Sequence, residues 1–119
     1  ISSIDLLVPI PLHPKREKQR GYNQSMEICK GISDITGIAV DNTTIIRKVN
    51  NKSQTKNSRF DRWKNVEDIF LITNESSFKD KHILLVDDVI TTGSTIESAG
   101  KEILKSEGSL LSIFAVGTA

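Results

Sequence analysis

The feature that most constrains this chain is a stretch that passes from an apolar run through two acids into a turn. It spans Ile83 to Thr95 and reads ILLVDDVITTGST. Its four apolar residues predict a buried strand, with Asp87 and Asp88 at the carboxyl end. That end is the edge at which open α/β sheets bind ligands. The threonines and Gly93 predict a turn into a helix whose free N–H groups, with hydroxyls, form a phosphate cradle.

A carboxylate pair beside a phosphate cradle suits a sugar phosphate. The acids can accept hydrogen bonds from ribose hydroxyls while the turn holds the phosphate. A nucleoside triphosphate site would need a Gly-rich loop ending in Lys-Ser or Lys-Thr, and the sequence contains none. A receiver domain also carries an aspartate pair, but there the acids follow the first strand, whereas these lie late in the chain. A buried strand and capped turn without a ligand is the remaining alternative.

The rest of the chain predicts strands and helices in alternation. Strands are expected at 4–8, 44–47, 66–72, 83–86 and 110–116, and helices at 24–36 and 94–106. Asn23 or Ser25 would cap the first helix, and Gly37 and Gly108 would end the two helices. The apolar faces are expected to hold Met26, Cys29, Ile32 and Ile35 in the first helix, and Ile96, Ala99, Ile103 and Leu104 in the second. This pattern indicates one α/β domain over 1–119, with a central parallel β-sheet flanked by helices.

Composition excludes some classes of protein and shows one asymmetry. With 37% hydrophobic and 26% charged residues the chain is typical of globular proteins, and no apolar run approaches the roughly 18 residues of a membrane span. Cys29 is the one cysteine, which excludes a disulfide framework and is compatible with the cytoplasm, the expected location. Segments 15–20 and 47–64 hold eleven of the 16 basic residues and two of the 15 acids. This fits either an anionic ligand at one end of the molecule or two solvated loops.

Residues 83–95 resemble the signature of type I phosphoribosyltransferases along their whole length. Other segments resemble the ComF/GntX-like branch of that superfamily, whose site is also similar to that of amidophosphoribosyltransferases. The residues that carry the second resemblance are Pro9 to Pro14, Arg16, Arg20 to Gln24, Gln54, Thr55, Arg59, Arg62, Asn65, Val66 and Phe70. Members of this branch commonly carry a zinc ribbon of four cysteines before this domain, which is absent from these residues or lies before Ile1.

The resemblance implies a type I phosphoribosyltransferase fold that binds 5-phosphoribosyl-1-pyrophosphate. Asp87 and Asp88 would hold the ribose hydroxyls, with Mg²⁺ bound indirectly beside them. The other implied substrate-binding residues are Thr91, Thr92, Gly93, Ser94 and Thr95 for the 5-phosphate, Pro9, Ile10 and Pro11 against the pyrophosphate, and Arg16 and Arg20 for its charge. Arg20 could equally serve, with Gly21, only to begin the following helix.

The basic stretch 50–64 occupies the place of the family's flexible catalytic loop. Such a loop closes over the substrate and brings positive charge to the leaving pyrophosphate, and Arg59 and Arg62 are the expected catalytic residues. In the superfamily the loop after the first strand often contains a cis peptide. Here the bonds before Pro9 and Pro11 could supply one, and the sequence does not decide. His82, before the central strand, is expected to be structural.

The implied reaction is the displacement of pyrophosphate from C1 of ribose by a nitrogen nucleophile. Thr91 stands where enzymes for 6-oxopurines carry an acid, so the acceptor stays open, and Cys29 lies inside a helix and cannot serve as a glutaminase nucleophile. The alternative is a catalytically idle binding or regulatory protein, for example a ComF-like factor in DNA uptake. Direct nucleic-acid binding is not expected, because no stacking platform or recognition helix accompanies the basic segments. Turnover and oligomeric state, a homodimer included, stay open.

Overall fold

The computed structural model describes residues 3–12, 23–48, 70–90 and 93–118. In these ranges secondary structure follows the predicted alternation of strands and helices. The elements are β1 (Leu6–Pro9), α1 (Gln24–Thr36), β2 (Ala39–Val40), β3 (Ile45–Arg47), β4 (Phe70–Ile72), a 3₁₀ turn (Glu75–Ser77), β5 (His82–Ile90), α2 (Ser94–Leu104) and β6 (Leu110–Thr118). The predicted α/β class with a central parallel sheet is confirmed. None of the helices in the described ranges has the length and apolar character needed to cross a membrane.

Four parallel strands form the central sheet, in the order β2-β1-β5-β6. β5 pairs with β1 from Ile83 to Val86 and with β6 along nearly its whole length. This interior position explains the apolar run that opens the strand, because parallel strands covered on both faces bury successive side chains. β3 and β4 pair with each other as a separate antiparallel ribbon, which the sequence does not predict.

Each face of the central sheet carries its own core. The α2-side core lies between the sheet, α2 and the β3–β4 ribbon, and the α1-side core lies between the sheet and α1. The buried members of the α2-side core are Val8, Ile10, Ile45, Phe70, Phe78, Ile83, Leu85, Ile96, Ala99 and Ile103. Those of the α1-side core are Leu7, Cys29 and Val86, with Ile28 and Ile32 packed against them. Successive residues of β1 and β5 alternate between the two cores, as side chains of a strand must.

Helix α1 has the bounds that its capping residues predict. The Asn23 side chain accepts hydrogen bonds from the backbone N–H groups of Ser25 (2.9 Å) and Met26 (3.3 Å), which satisfies two of the free donors of the first turn. Gly37 ends the helix in the left-handed conformation, with φ of 76°. The Asn23 amide also donates to the carbonyl of Ile10 at 3.1 Å, so the cap ties the helix start to the segment after β1.

The predicted apolar faces of the helices are wrong at one residue each. Ile35 is 88% exposed and Leu104 is 53% exposed. Ile35 lies in the last turn of α1, beyond the part of the helix that covers the α1-side core. Leu104 follows Ile103, and adjacent helical positions point about 100° apart, so only one of the two can face the sheet. The second helix also ends earlier than predicted, at Leu104, and Gly108 lies in the turn after it.

Candidate functional site

The acid pair lies inside β5 and not at its end. The prediction that the strand stops at the acids is wrong, because pairing with β6 continues through Asp87 to Ile90. On the other side, pairing with β1 ends with Pro9 opposite Val86. The acids therefore lie at the carboxyl end of the β1–β5 ladder, next to a side of β5 that β1 has left. This combination keeps the carboxylates on a strand of the central sheet, and within the described ranges no strand pairs with β5 on the flank that β1 has left.

The two carboxyl groups differ in their surroundings. Asp87 is 9% exposed and its Oδ1 accepts a hydrogen bond of 2.8 Å from the backbone N–H of Asp88. Burial raises the pKa of Asp87 to about 6, and the hydrogen bond and negative charge of the Asp88 side chain act in the same direction. The Asp88 backbone N–H and the positive charge of Arg47 partly oppose this rise in pKa. A carboxylate held in such a place is stabilised by any cation or hydroxyl donor that binds to it.

The predicted phosphate cradle begins at Gly93. This residue is the N-cap of α2, with φ of 81° in the left-handed region, and its carbonyl accepts the first helical hydrogen bond from Glu97 N–H at 2.9 Å. A Cβ at this position would meet no atom within 4 Å. Among the described residues, glycine is therefore required by the backbone conformation and not by a close neighbour. Ser94 and Thr95 form the first turn, where unpaired N–H groups point out of the helix.

The segment after β1 is anchored from both sides. Ile10 donates its backbone N–H to the carbonyl of Val86 at 2.9 Å, and its own carbonyl accepts from Asn23. Its side chain is buried in the α2-side core. No cis peptide occurs in the described ranges, so the bonds before Pro9 and Pro11 are trans. Ile10 supports the segment, and its contact with pyrophosphate, like those of Pro9 and Pro11, stays a prediction.

Six of the predicted site residues lie outside the described ranges. They are Arg16, Arg20, Arg59, Arg62, Thr91 and Thr92. In the structure the acid pair lies on β5, Pro9 lies opposite Val86 just before the acids, and Gly93 starts α2 three residues after β5 ends. The predicted roles of the four arginines and two threonines stay predictions.

His82 and Cys29 have the structural roles that the sequence predicts. His82 begins β5 at the end away from the acids, and its Nε2 lies 2.8 Å from the hydroxyl of Ser112. Cys29 is buried in the α1-side core, and burial raises the pKa of its thiol to about 12. Because the thiolate is the nucleophilic form, a cysteine with so high a pKa packs in the core and does not act as a nucleophile.

Arg47, in the basic segment 47–64, is not among the predicted site residues. In the structure Arg47 is half-buried on β3 opposite Phe70, and its guanidinium carbon lies 5.1 Å from the centre of the Phe70 ring. Its positive charge acts on Asp87. The spacing from Ile45 could have predicted the position of Arg47, since residues two apart on a strand share one face. Arg47 therefore lies on the same face of β3 as the buried Ile45, at the border of the α2-side core.

The acid pair is the part of the described site that could hold a metal. No three side chains of His, Cys, Asp or Glu come together in the described ranges, so no cage of protein ligands is found there. Mg²⁺ characteristically takes one or two carboxylates and completes its shell with water and substrate phosphates. Asp87 and Asp88 fit an Mg²⁺ ion that is held jointly with a phosphorylated ligand.

Comparison with known proteins agrees with this geometry. Residues 24–118 match the profile of the phosphoribosyl transferase domain family. Competence protein F of Haemophilus influenzae is 33% identical over 102 residues, which are 85% of this chain and 44% of that protein. DNA utilization protein YhgH of Salmonella typhi is 30% identical over 112 residues, which are 94% of this chain and 48% of that protein. The chain therefore spans less than half the length of these relatives.

Two solved structures share the fold at low sequence identity. The allosteric regulatory enzyme of purine biosynthesis superposes with a TM-score of 0.61 at 17% identity, over 92% of this chain and 21% of that one. A purine phosphoribosyltransferase from Pyrococcus horikoshii superposes with a TM-score of 0.53 at 19% identity, over 98% of this chain and 62% of that one. These likenesses show the fold alone.

Proposed function

Because this chain belongs to the phosphoribosyl transferase domain family, on its ComF-like branch, we propose that it binds 5-phosphoribosyl-1-pyrophosphate with Mg²⁺ and transfers the phosphoribosyl group to a nitrogen nucleophile. One observation carries this proposal. At the carboxyl end of the β1–β5 ladder, an acid pair on a central strand precedes a helix that starts at a left-handed glycine. Carboxylates accept hydrogen bonds from the ribose hydroxyls, and the helix start binds the 5-phosphate.

In the proposed reaction the bond between C1 of ribose and the pyrophosphate oxygen breaks, and pyrophosphate leaves with the electron pair. The lone pair of the acceptor nitrogen forms the new bond to C1, and the nitrogen then loses a proton to solvent. Asp87 and Asp88 hold the ring so that positive charge can develop at C1 next to two carboxylates. Bound Mg²⁺ would supply charge neutralisation at the pyrophosphate oxygens.

The basic residues have separate proposed roles in this scheme. Arg16 and Arg20 face the pyrophosphate in the bound state, and Arg59 and Arg62 arrive with the loop that closes over it. Thr91 in place of an acid disfavours a 6-oxopurine as the acceptor. We also place the protein in the cytoplasm, on the ground that its one cysteine, Cys29, is buried as a thiol.

The names of the relatives favour a second candidate. Competence protein F and DNA utilization protein YhgH are named for the handling of DNA and not for a transfer reaction. A chain with this site could bind the sugar pyrophosphate as a signal without turning it over and act as a regulatory factor in DNA uptake. Both candidates require the acid pair, and they differ in whether pyrophosphate is released.

The discriminating experiment is calorimetry of phosphoribosyl pyrophosphate binding with Mg²⁺ and with EDTA, followed by a pyrophosphate-release assay over bases and small amines. Mg²⁺-dependent binding with release supports the transferase, and binding without release supports the regulatory candidate. Replacing both acids, Asp87→Asn with Asp88→Asn, is expected to weaken binding at least about tenfold, because both ribose contacts lose their charge. Asp34→Asn, an exposed acid on α1, is the matched control. Binding that is absent, or unchanged in the double variant, overturns the site assignment.

A further inference from the structure

Strand β6 is the last strand of the central sheet, and it is long. Among the described strands it pairs with β5 alone, and it runs for nine residues from Leu110 to Thr118. Its other edge therefore offers backbone N–H and C=O groups to a further strand over about 30 Å. The sequence of β6, LLSIFAVGT, contains no charged residue and no proline, which are the residues that commonly block pairing at such an edge.

Apolar side chains are exposed on both faces of β6. Leu111 packs against the α2-side core, so Ile113, two residues later, lies on the same face. Leu110, Phe114 and Val116 lie on the opposite face, which α1 covers over β1 and β5. All but Leu111 are exposed by 41% to 69%. A helix or loop packed on the sheet would cover one of these faces, whereas a strand added at the edge lies beside both.

A second copy of the same strand fits this edge. Two copies of β6 in antiparallel pairing are related by a two-fold axis, and an interface of this kind is self-complementary. Full overlap of the nine residues places Phe114 opposite its own counterpart and Ile113 opposite Ala115 of the second copy. At the centre of the interface apolar residues thus meet apolar residues on both faces. Because neither edge carries a charge, no like charges come to lie opposite each other.

We propose that two copies of this chain associate through β6, with the two strands antiparallel and centred on Phe114, so that their central sheets become one continuous sheet. This inference does not depend on the proposed function. Ala115 of β6 is the ladder partner of Asp87, whereas the flank of the acids that β1 has left lies on the other side of β5. The association therefore leaves that flank of the acid pair uncovered.

The concentration dependence of the oligomeric state is the first test. Pairing along one strand is at the low end of interface sizes, so a dissociation constant in the micromolar range is expected. Sedimentation velocity of the ligand-free wild type from about 5 to about 500 µM covers this range. The sedimentation coefficient is expected to rise with concentration toward that of a dimer. A monomer at every concentration would leave the edge to a different partner and overturns the proposal.

Lysine substitutions on the two faces of β6 test the mode of pairing. Val116→Lys and Ile113→Lys place a charge at the edge on opposite faces, and each is expected to raise the dissociation constant at least about tenfold. Ile35→Lys, at an exposed position of α1, is the matched control and is expected to leave association unchanged. A loss of association in only one of the β6 variants would indicate contact through one face. An equal loss in I35K would indicate an effect of net charge, and either result overturns the proposal.

A cysteine cross-link tests the register of the two strands. Cys29 is buried, so an introduced thiol on β6 is the accessible one. Phe114→Cys places two thiols opposite each other and is expected to give a disulfide-linked dimer under mild oxidation. Val116→Cys lies four residues from its own counterpart, roughly 13 Å along the strand, and is expected not to cross-link. Failure of F114C to cross-link, or an equal yield in V116C, overturns the proposed pairing. Circular dichroism verifies that each variant is folded.

Discussion

Asp87 combines burial with a second carboxylate next to it in the chain. A protein tolerates this arrangement at a cost in stability, because the buried carboxylate has lost water and faces a like charge. The compensations are the backbone N–H of Asp88 and the positive charge of Arg47. Binding of a cation or of a hydroxyl donor would offset this cost in free energy. A buried carboxylate of this kind is expected in a binding site.

This electrostatic cost predicts a pH dependence of stability in the metal-free protein. The folded pKa of Asp87 is raised from 3.8 to about 6. Between these values the folded state retains a proton that the unfolded state has lost, so the free energy of unfolding falls as pH rises and levels off above about pH 6. The loss is expected to be on the order of 3 kcal/mol.

The measurement is urea unfolding in EDTA at several pH values from about 4 to about 7, for the wild type and for Asp87→Asn. The variant cannot ionise at this position and serves as the reference. As pH rises, the wild type is expected to lose stability relative to the variant. A difference that does not change with pH would show that Asp87 titrates normally.

At the scale of elements, the start of α2 depends on one backbone conformation. Gly93 has a positive φ, whereas Gly31 in the middle of α1 has an ordinary helical φ. At both positions, no atom of the described residues lies within 4 Å of where a Cβ would be. The two glycines therefore form a matched pair that differs in backbone conformation and not in available space.

Replacing each of these glycines with alanine is expected to have opposite effects. Gly93→Ala is expected to lower the free energy of unfolding by about 1–2 kcal/mol, since an alanine strains at positive φ. Gly31→Ala is expected to raise it by about 0.5–1 kcal/mol, since alanine is the better helix former. Both values come from chemical denaturation. A neutral Gly93→Ala would mean that the turn can adopt another conformation.

For the molecule as a whole, the α2-side core holds three elements together. Helix α2 packs against both the sheet and the ribbon, and its residue Ile103 is buried in this core, while the next residue, Leu104, is largely exposed. The packing of α2 therefore holds the β3–β4 ribbon to the central sheet.

Truncating these two neighbours tests the arrangement of the core. Ile103→Ala is expected to cost about 2–5 kcal/mol, through lost burial and the cavity that remains. Leu104→Ala is expected to change stability by less than about 0.5 kcal/mol, since it removes few contacts. Thermal or urea unfolding of both variants provides the comparison, and similar losses would place α2 in a different rotation about its axis.

Local chemistry made much of this molecule predictable from its sequence. Asn23 and Gly37 predict the bounds of α1, because caps act within one helical turn. The apolar run before Asp87 predicts a buried central strand, because only an interior strand of a parallel sheet can bury four successive side chains. The α/β class follows from the same patterns, and so does the location of the acid pair directly after that apolar run.

Packing between distant segments determined the rest. β1 leaves β5 at Val86 while β6 continues, β3 and β4 pair apart from the sheet, and Ile35 and Leu104 face solvent. Each of these features depends on which surface of a helix or strand is covered by another element. The periodicity of apolar residues along one helix or strand does not contain that information. Arg47 shows the same dependence: it contacts the ring of Phe70, twenty-three positions later in the chain, only because β3 and β4 pair with each other.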